Sequence, residues 1–329
     1  MAAPKVSINL PDLLKAYGGS SVLVNPRHDD ARRASSAWLR GYKVLSEEKQ
    51  VLHELDNSEL LASLAYPYSS FEQLCLVCDL FNILYVLDTV TDDQDPDTAR
   101  ATCNVLLAAF KDLSLDSGSK LSKLTVDFAT RYCASATPAS TSRFITHTAA
   151  YLDSVVSQAG FRKNGEVLDI ESFIPHRRDN SATLLCFDLI ELALGINLPC
   201  EVYASPKFLE VYFAAVDMVW LSNDTCSYSM EKSIGHSGYN VVTVYMKQFD
   251  LDIQAAFDRA GREFDEMWTR FDTSRLELPT FGEAIDCDVQ RFIDALKTWV
   301  VGMLHWNFET PRYFGDKRQL IKATHIVVL

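Results

Sequence analysis

Long segments in which apolar residues recur with the period of an α-helix constrain this chain more than any other feature. Glycine and proline occupy only 13 and 11 of its 329 positions, so the chain has few points at which to turn. We find no convincing run of alternating apolar and polar residues, which argues against a sheet. The pattern predicts an all-α protein of about ten helices. The segments with the helical period are 71–91, 98–112, 119–133, 143–158, 181–195, 206–230, 239–260 and 283–308.

The charge balance and the lack of linkers narrow the class of protein further. The chain has 44 acidic and 31 basic residues and a formal net charge of −13, whereas a nucleic-acid-binding protein presents a basic face to the phosphates. We therefore expect no nucleic-acid partner.

No long linker rich in proline, glycine or serine divides the sequence, which predicts a single domain over residues 1–329.

The cysteines and the N-terminal residues indicate the cellular compartment in which the protein is expected. Eight cysteines are scattered, mostly within apolar helical segments, and the N-terminal residues lack a charged region followed by an apolar one. We expect free thiols in a cytoplasmic protein. No uninterrupted apolar run reaches the length of a membrane span, so no span is expected either.

An acidic cluster follows an apolar helical stretch in residues 81–95. Asp88 and Asp92 are four residues apart and share one face of the predicted helix, with Phe81 and Tyr85 in the preceding turns on that side. Clustered carboxylates repel one another at the C-terminal end of a helix. That cost is tolerated when the groups are solvated or when they bind a hard cation. Taken alone, the pattern favours a solvated helix end over a metal site.

A second row of polar residues has a more specific spacing. Asn223, Ser227 and Glu231 lie four residues apart in succession, which places them in one line on a helix face above the apolar Val219. Their amide, hydroxyl and carboxylate oxygens are ligands that magnesium accepts while it keeps waters or phosphate oxygens. Because asparagine and serine compete with the helical backbone, their presence at this spacing calls for a reason. A metal site is favoured here over a solvated polar stripe.

These motifs resemble those of the class I terpene synthases. DTVTD at 88–92 is similar to the family's aspartate-rich motif, and NDTCSYSMEK at 223–232 to its Asn/Ser/Glu triad followed by a basic residue. WNFETPRYF at 306–314 resembles its terminal Arg-Tyr pair, and LPDL at 10–13 and NPRH at 25–28 are similar to the start of fungal and bacterial members. The resemblance covers essentially the whole chain, and basidiomycete-type sesquiterpene synthases look most similar.

The resemblance implies a helical bundle around a central apolar cavity and a site that binds three Mg²⁺ ions, for which Mn²⁺ can substitute. The substrate would be a linear prenyl diphosphate, with farnesyl diphosphate first and geranyl diphosphate second. The residues that it assigns to the metal ions are Asp88, Asp92, Asn223, Ser227 and Glu231. Those that it assigns to the diphosphate are Arg177, Lys232, Arg312 and Tyr313, and Ser181 falls where ligand binding is relayed to the helix break. Because ring faces stabilise a cation without attacking it, our candidates for the substrate-facing wall are Phe81, Tyr85 and Trp306.

Three positions depart from the family pattern or leave it ambiguous. Thr89 stands where a second acid is usual, so the first metal site depends mainly on Asp88. Ser181 stands where glycine is common. The diphosphate-sensing arginine falls on Arg177, but the adjacent Arg178 leaves the assignment open by one residue.

Other functions remain as alternatives. A chain-elongating prenyltransferase would need a second aspartate-rich motif in place of Asn223, Ser227 and Glu231, and none is present. A phosphohydrolase would need a polar pocket beyond the phosphate, and a non-catalytic helical scaffold would leave both acidic rows in solvent. The sequence does not select the product, the termination by proton loss or by water, or a monomer over a homodimer.

Overall fold

A computed structural model describes residues 6–18 and 22–329 of the chain. Helices make up most of these residues, which confirms the all-α prediction. The long helices are α1 (His28–Tyr42), α2 (Glu47–Asp56), α3 (Ser58–Ala65), α4 (Phe71–Thr91), α5 (Pro96–Lys111), α6 (Lys120–Ser135), α7 (Pro138–Asn164), α8 (Ile170–Asn180), α9 (Thr183–Leu194), α11 (Pro206–Ile234), α12 (Val241–Phe249), α13 (Ile253–Ser274) and α14 (Glu283–Glu309).

Short elements connect these helices and join the two described ends of the chain. Two strands, β1 (Ser7–Asn9) and β2 (Ile326–Val328), form an antiparallel ribbon in which Ile8 pairs with Val327. The sequence predicted no strand, because three residues are too few to show an alternating pattern. The short helices are α10 (Cys200–Tyr203), α15 (Pro311–Phe314) and α16 (Arg318–Thr324), and the 3₁₀ turns are Lys15–Tyr17, Ser237–Tyr239, Arg275–Glu277 and Gly315–Lys317.

The structure corrects the predicted segment 239–260, which is two helices rather than one. Asp250 adopts a left-handed conformation with φ 51° and ends α12, and Asp252 caps the start of α13. Aspartate tolerates this conformation better than most residues, so no glycine or proline marks the break. A second break separates α8 from α9 at Ala182, which has φ 57°.

Two helices, α4 and α11, carry the acidic and polar rows of the sequence. Ser70 and Gln73 form a capping box at the start of α4. Ser205 caps α11, Pro206 occupies its first turn, and Gly235 ends it in the left-handed conformation. Local sequence signals therefore set the length of α11 at 29 residues.

Among the described helices, one passes the test of length and composition for a membrane span, and it is α4. However, 67% of its most apolar 18-residue window is buried inside the protein. A helix that is apolar on all sides is typically surrounded by other helices in the core of a protein. Indeed α4 packs against α1, α3, α6 and α9.

The hydrophobic core is continuous from the ribbon to the centre of the bundle. It includes Ile8 and Val327 as well as the fully buried Trp220 of α11 and Phe187 of α9. Helix α11 packs along α13 on one side and against α14 on another, and α14 also contacts α3. This packing fixes α4, α11 and α14 around a common space.

Candidate active site

A cavity of about 570 Å³ lies between α4, α7, α8, α9, α11 and α14. Twelve of the thirteen candidate residues line it, and the exception is Lys232. These twelve are Phe81, Tyr85, Asp88, Asp92, Arg177, Ser181, Asn223, Ser227, Glu231, Trp306, Arg312 and Tyr313.

The inner wall of the cavity is apolar and aromatic. Phe81 is 7% exposed, and its ring lies 6.4 Å from that of Trp299, which the sequence interpretation had not selected. Exposure rises along α4 from Phe81 towards Asp88, whose side chain is 50% exposed. The cavity therefore opens to solvent at the C-terminal end of α4, where the carboxylates lie.

The first acidic row has one exposed and one partly buried carboxylate. Burial and the neighbouring charge of Asp88 raise the pKa of Asp92 to about 7. Asp95, one turn further on, caps α5 through the backbone N–H groups of Asp97 and Thr98. Only Asp88 and Asp92 therefore face the cavity in this row.

The second row lies on α11 and is more buried. Ser227 Oγ is buried without a hydrogen-bond partner, although few buried polar atoms are left unpaired in a folded protein. Glu231 accepts a hydrogen bond from Asn240 Nδ2 at 3.0 Å. Burial and the nearby Asp224 carboxylate raise the pKa of Glu231 to about 7.

The consecutive residues Arg312 and Tyr313 of α15 bridge the two rows. Arg312 Nη2 donates to Asp88 Oδ2 at 3.2 Å, while Asn223 Nδ2 donates to the Tyr313 hydroxyl oxygen at 2.8 Å. The terminal Arg-Tyr motif thus contacts the first residue of each row, over sequence separations of 224 and 90 residues.

Arg177 enters the cavity from α8 and is only 11% exposed. Its Nη2 lies 2.7 Å from Asp224 Oδ1 and 2.8 Å from Asn223 Oδ1. Burial works against the charge of Arg177 and is the largest single effect, but Asp224, Tyr239 and Glu231 together outweigh it and raise the pKa of the guanidinium. Asp224 is held in turn by the backbone N–H of Val241 at 2.9 Å.

The neighbouring Arg178 points elsewhere. Its Nε and Nη2 bind both oxygens of Asp217 at 2.8 and 2.7 Å, and it does not line the cavity. Adjacent residues of a helix are separated by about 100° around its axis. Of the two arginines that the sequence left open, Arg177 is therefore the one that faces the candidate ligands.

Lys232 is the candidate residue that the structure does not place in the cavity. It is exposed, and its Nζ lies 5.8 Å from the centre of the Tyr228 ring. The physical reason is the same as for Arg178, because Lys232 follows Glu231 directly and so leaves the face that carries the row. The prediction that Lys232 contacts the diphosphate has no support from this geometry.

Several cavity residues were missed in the sequence. Asp56 pairs with Arg312, and Arg162 donates from Nη2 to the carbonyl oxygens of Thr91 and Gln94, both at 3.1 Å. These contacts join residues far apart in the chain, so no local spacing indicated them. Other cavity residues without a sequence signal are Ser58, Tyr151, Gln158, Trp299, Met303 and Tyr239.

The residues present fit the magnesium ions that the resemblance implies. In the described residues, no three His, Cys, Asp or Glu side chains are grouped closely enough to hold a metal among themselves. The row on α11 instead combines one carboxylate with amide and hydroxyl oxygens, so an ion there needs further oxygens from water or phosphate. Such an ion would also satisfy the unpaired Ser227 Oγ.

Comparisons with known proteins show the family to which the chain belongs. The family described as terpene synthase family 2, C-terminal metal binding, matches residues 79–270, more than half of the chain. The bifunctional terpene synthase Agr4 of Cyclocybe aegerita is 40% identical over 330 residues, which cover 100% of this chain and 95% of that protein. A sesquiterpene synthase of Piloderma croceum is 34% identical over 334 residues, with coverages of 99% and 96%.

One relative is named for a different reaction, the oxygenation of linoleate. The Coprinopsis cinerea protein called linoleate 10R-lipoxygenase COP4 is 40% identical over 320 residues, which cover 97% of this chain and 92% of that protein. Among solved structures, hedycaryol synthase in complex with HEPES matches with a TM-score of 0.81 at 18% identity, covering 92% of this chain and 99% of that chain. At that identity the likeness shows a shared fold. The matched family and the near full-length relatives show that this chain belongs to the terpene synthase family.

Proposed function

We propose that this enzyme ionises farnesyl diphosphate and converts the carbocation into a sesquiterpene hydrocarbon or alcohol, with release of diphosphate. The observation that carries this proposal is a single cavity that joins an aromatic inner wall to a rim of oxygen ligands and arginines. The sesquiterpene synthase among the relatives supports farnesyl over geranyl diphosphate.

The rim would bind and activate the leaving group. Asp88 and Asp92 would hold two Mg²⁺ ions and the row Asn223, Ser227 and Glu231 a third; when bound, such ions neutralise charge that develops on the diphosphate. Arg177 and Arg312 would donate hydrogen bonds to the diphosphate oxygens. At an effective dielectric constant near 20, one pair of unit charges 4 Å apart contributes about 4 kcal/mol before desolvation.

The inner wall would contain the carbocation after ionisation. Aromatic faces stabilise a cation without reacting with it, and an apolar wall excludes the water that would quench it early. Phe81, Trp299 and Trp306 meet both conditions, since each lines the cavity and is largely buried. Tyr85 lies closer to the rim, under the Arg312 guanidinium at 5.5 Å from the ring centre.

The break between α8 and α9 belongs to the proposed site. Ser181 follows the last residue of α8, and its Oγ lies 2.9 Å from Thr183 Oγ1 and accepts from the backbone N–H of Thr183 at 3.3 Å, across Ala182 at the start of α9. Because Ala182 holds a left-handed conformation that is unfavourable for an alanine, this break is strained. Ser181 lines the cavity at this break. We infer that it contacts the bound substrate, at a position where glycine is common in the family.

We also infer a reducing compartment, in agreement with the cytoplasmic expectation. All eight cysteines have free thiols, and two of them, Cys200 and Cys287, are exposed. Disulfides form and persist in oxidising compartments, so eight unpaired thiols favour the cytoplasm.

The test is analysis of products by gas chromatography and mass spectrometry. Purified protein is given farnesyl, geranyl or geranylgeranyl diphosphate with magnesium, with EDTA, or after combined substitution of Asn223, Ser227 and Glu231 by alanine. Linoleate under oxygen serves as the control for the reaction named in one relative. A sesquiterpene formed only by the intact protein with magnesium and farnesyl diphosphate supports the proposal. A folded protein that yields no terpene from any of the three substrates would refute it.

A further inference from the structure

The corner between α2 and α3 holds the C-terminal segment of the active site. Asn57 forms this corner in a left-handed conformation with φ 51°. Trp306 Nε1 donates to the Asn57 carbonyl oxygen at 3.0 Å, and Thr310 Oγ1 donates to the Asp56 carbonyl oxygen at 2.8 Å. Arg312 Nη1 donates to Asp56 Oδ2 at 2.9 Å. Three hydrogen bonds thus attach residues 306–312 to one point about 250 residues earlier in the chain.

Asp56 and Asp88 are not equivalent partners of Arg312. The Asp56 side chain is 18% exposed, whereas that of Asp88 is 50% exposed. Asp88 belongs to the proposed metal row, so a bound metal ion would compete with Arg312 Nη2 for its carboxylate. Asp56 lies outside both rows and can keep its contact with Nη1 while the other side of the guanidinium is released to the diphosphate.

The same helix also supports the ring below the guanidinium. His53 of α2 stacks on Tyr85 with ring centres 3.9 Å apart, and Arg312 lies over the Tyr85 ring. His53 is itself fixed, because its Nε2 is hydrogen-bonded to Asn82 Oδ1 inside the core. Arg312 therefore has a partly buried carboxylate at one nitrogen, and beneath its plane an aromatic ring that His53 holds in place.

We propose that Asp56 is a positioning residue that aims Arg312 at the substrate diphosphate. The inference rests on the proposed function of the cavity, since it gives Arg312 a diphosphate to bind. A bidentate or braced arginine loses less freedom when it binds an anion than a free one does. Asp56 contributes by orientation, although its own charge is unfavourable for an anion nearby.

Because this charge is unfavourable, the two possible roles of Asp56 predict opposite changes in diphosphate affinity when the charge is removed. If Asp56 only competed with the diphosphate for Arg312, its neutralisation would release the arginine and strengthen diphosphate binding. If Asp56 aims Arg312, the same change weakens binding. Asp56→Asn retains the shape of the side chain and one oxygen acceptor but removes the charge. A change in binding therefore reports the lost ion pair with Arg312 and not altered packing.

The experiment measures the dissociation constant of inorganic diphosphate at saturating magnesium by calorimetry, together with kcat and KM for farnesyl diphosphate. The proteins are wild type, Asp56→Asn, Arg312→Met and the double variant. We expect Asp56→Asn to weaken diphosphate binding about tenfold in the wild-type background and to have no further effect when Arg312 is absent. Thr310→Val removes the hydrogen bond to the Asp56 carbonyl and also the acceptor for the Arg312 backbone N–H, so it should weaken diphosphate binding as well.

The matched control is Glu54→Gln on the same helix. Glu54 forms a bidentate pair with Arg40 at 2.7 and 2.9 Å on the outer surface, so this variant loses the same kind of ion pair away from the cavity and should bind diphosphate as wild type does. Unchanged or tighter binding by Asp56→Asn, or an equal loss in the Arg312→Met background, would overturn the positioning role. If wild type itself neither binds diphosphate nor forms a terpene, the proposed function fails instead.

Discussion

Arg177 Nη2 lies 2.8 Å from Asn223 Oδ1, the amide oxygen that we propose as a metal ligand. The arginine proposed to bind the diphosphate therefore holds the first residue of the α11 row in this structure. Arg312 has the same relation to Asp88 at 3.2 Å. Both contacts must be released before Asn223 Oδ1 and Asp88 Oδ2 are free for magnesium.

This arrangement predicts that magnesium and diphosphate bind cooperatively. Magnesium alone should bind weakly, and inorganic diphosphate should lower its dissociation constant by about tenfold or more. Arg177→Lys keeps a charge beside Asp224 but cannot reach Asn223 as well, so it should weaken diphosphate binding without weakening the binding of magnesium alone. Titration calorimetry with each ligand, alone and in the presence of the other, measures this coupling. Independent binding in the wild-type protein would contradict it.

Ser227→Ala should separate stability from activity. Because Ser227 Oγ has no partner, its removal costs no hydrogen bond, and the free energy of unfolding without metal should stay within about 1 kcal/mol of wild type or rise. Product formation should fall by about 100-fold, since a metal ligand is lost. Ser222→Ala is the control on the same helix: its hydroxyl donates to the Val219 carbonyl at 2.9 Å, and its loss should leave activity intact. A parallel loss of activity in both variants would argue against a metal-ligating role.

Lys232→Met tests the residue on which the sequence and the structure disagree. Because Lys232 is exposed and lies beside Tyr228, we expect kcat/KM for farnesyl diphosphate to fall less than about tenfold. Arg312→Met should lower kcat/KM by about 100-fold or more, since Arg312 is in the cavity and bridges to the first metal row. Steady-state measurement of diphosphate release gives both values. An equal loss would show that Lys232 reaches the diphosphate when the substrate binds.

The sequence predicted what depends on local spacing. Asn223, Ser227 and Glu231 were identifiable because a helix repeats its face every three to four residues, and the structure places all three in the cavity. The sequence left the choice between Arg177 and Arg178 open and assigned Lys232 to the diphosphate, but a neighbour one residue away on a helix points about 100° elsewhere, and the structure places neither Arg178 nor Lys232 in the cavity. Asp56 gave no signal, because its partner Arg312 is 256 residues later and only the packing of α2 against α15 brings them together.

The raised pKa values of Asp92 and Glu231 predict how the metal-free protein responds to pH. Both pKa values are about 7 in the folded protein, where burial and a neighbouring carboxylate penalise the charged form, against about 4 in an unfolded chain. Between pH 4 and 7 the folded state thus holds more protons than the unfolded state. Stability must then decrease as the pH rises through this window, and the full cost is present above pH 7.

Thermal unfolding without metal should therefore occur at a Tm at least about 2 °C lower at pH 8 than at pH 6. Magnesium with diphosphate should restore more stability at pH 8, where both carboxylates are ionised and ready to bind, than at pH 6. The control is the double variant Asp92→Asn/Glu231→Gln, in which neither group titrates, so the difference between the two pH values should shrink. If the double variant keeps the full difference in Tm between pH 6 and pH 8, other titrating groups cause that difference. The two carboxylates would then not be the buried charges that the metal ions neutralise.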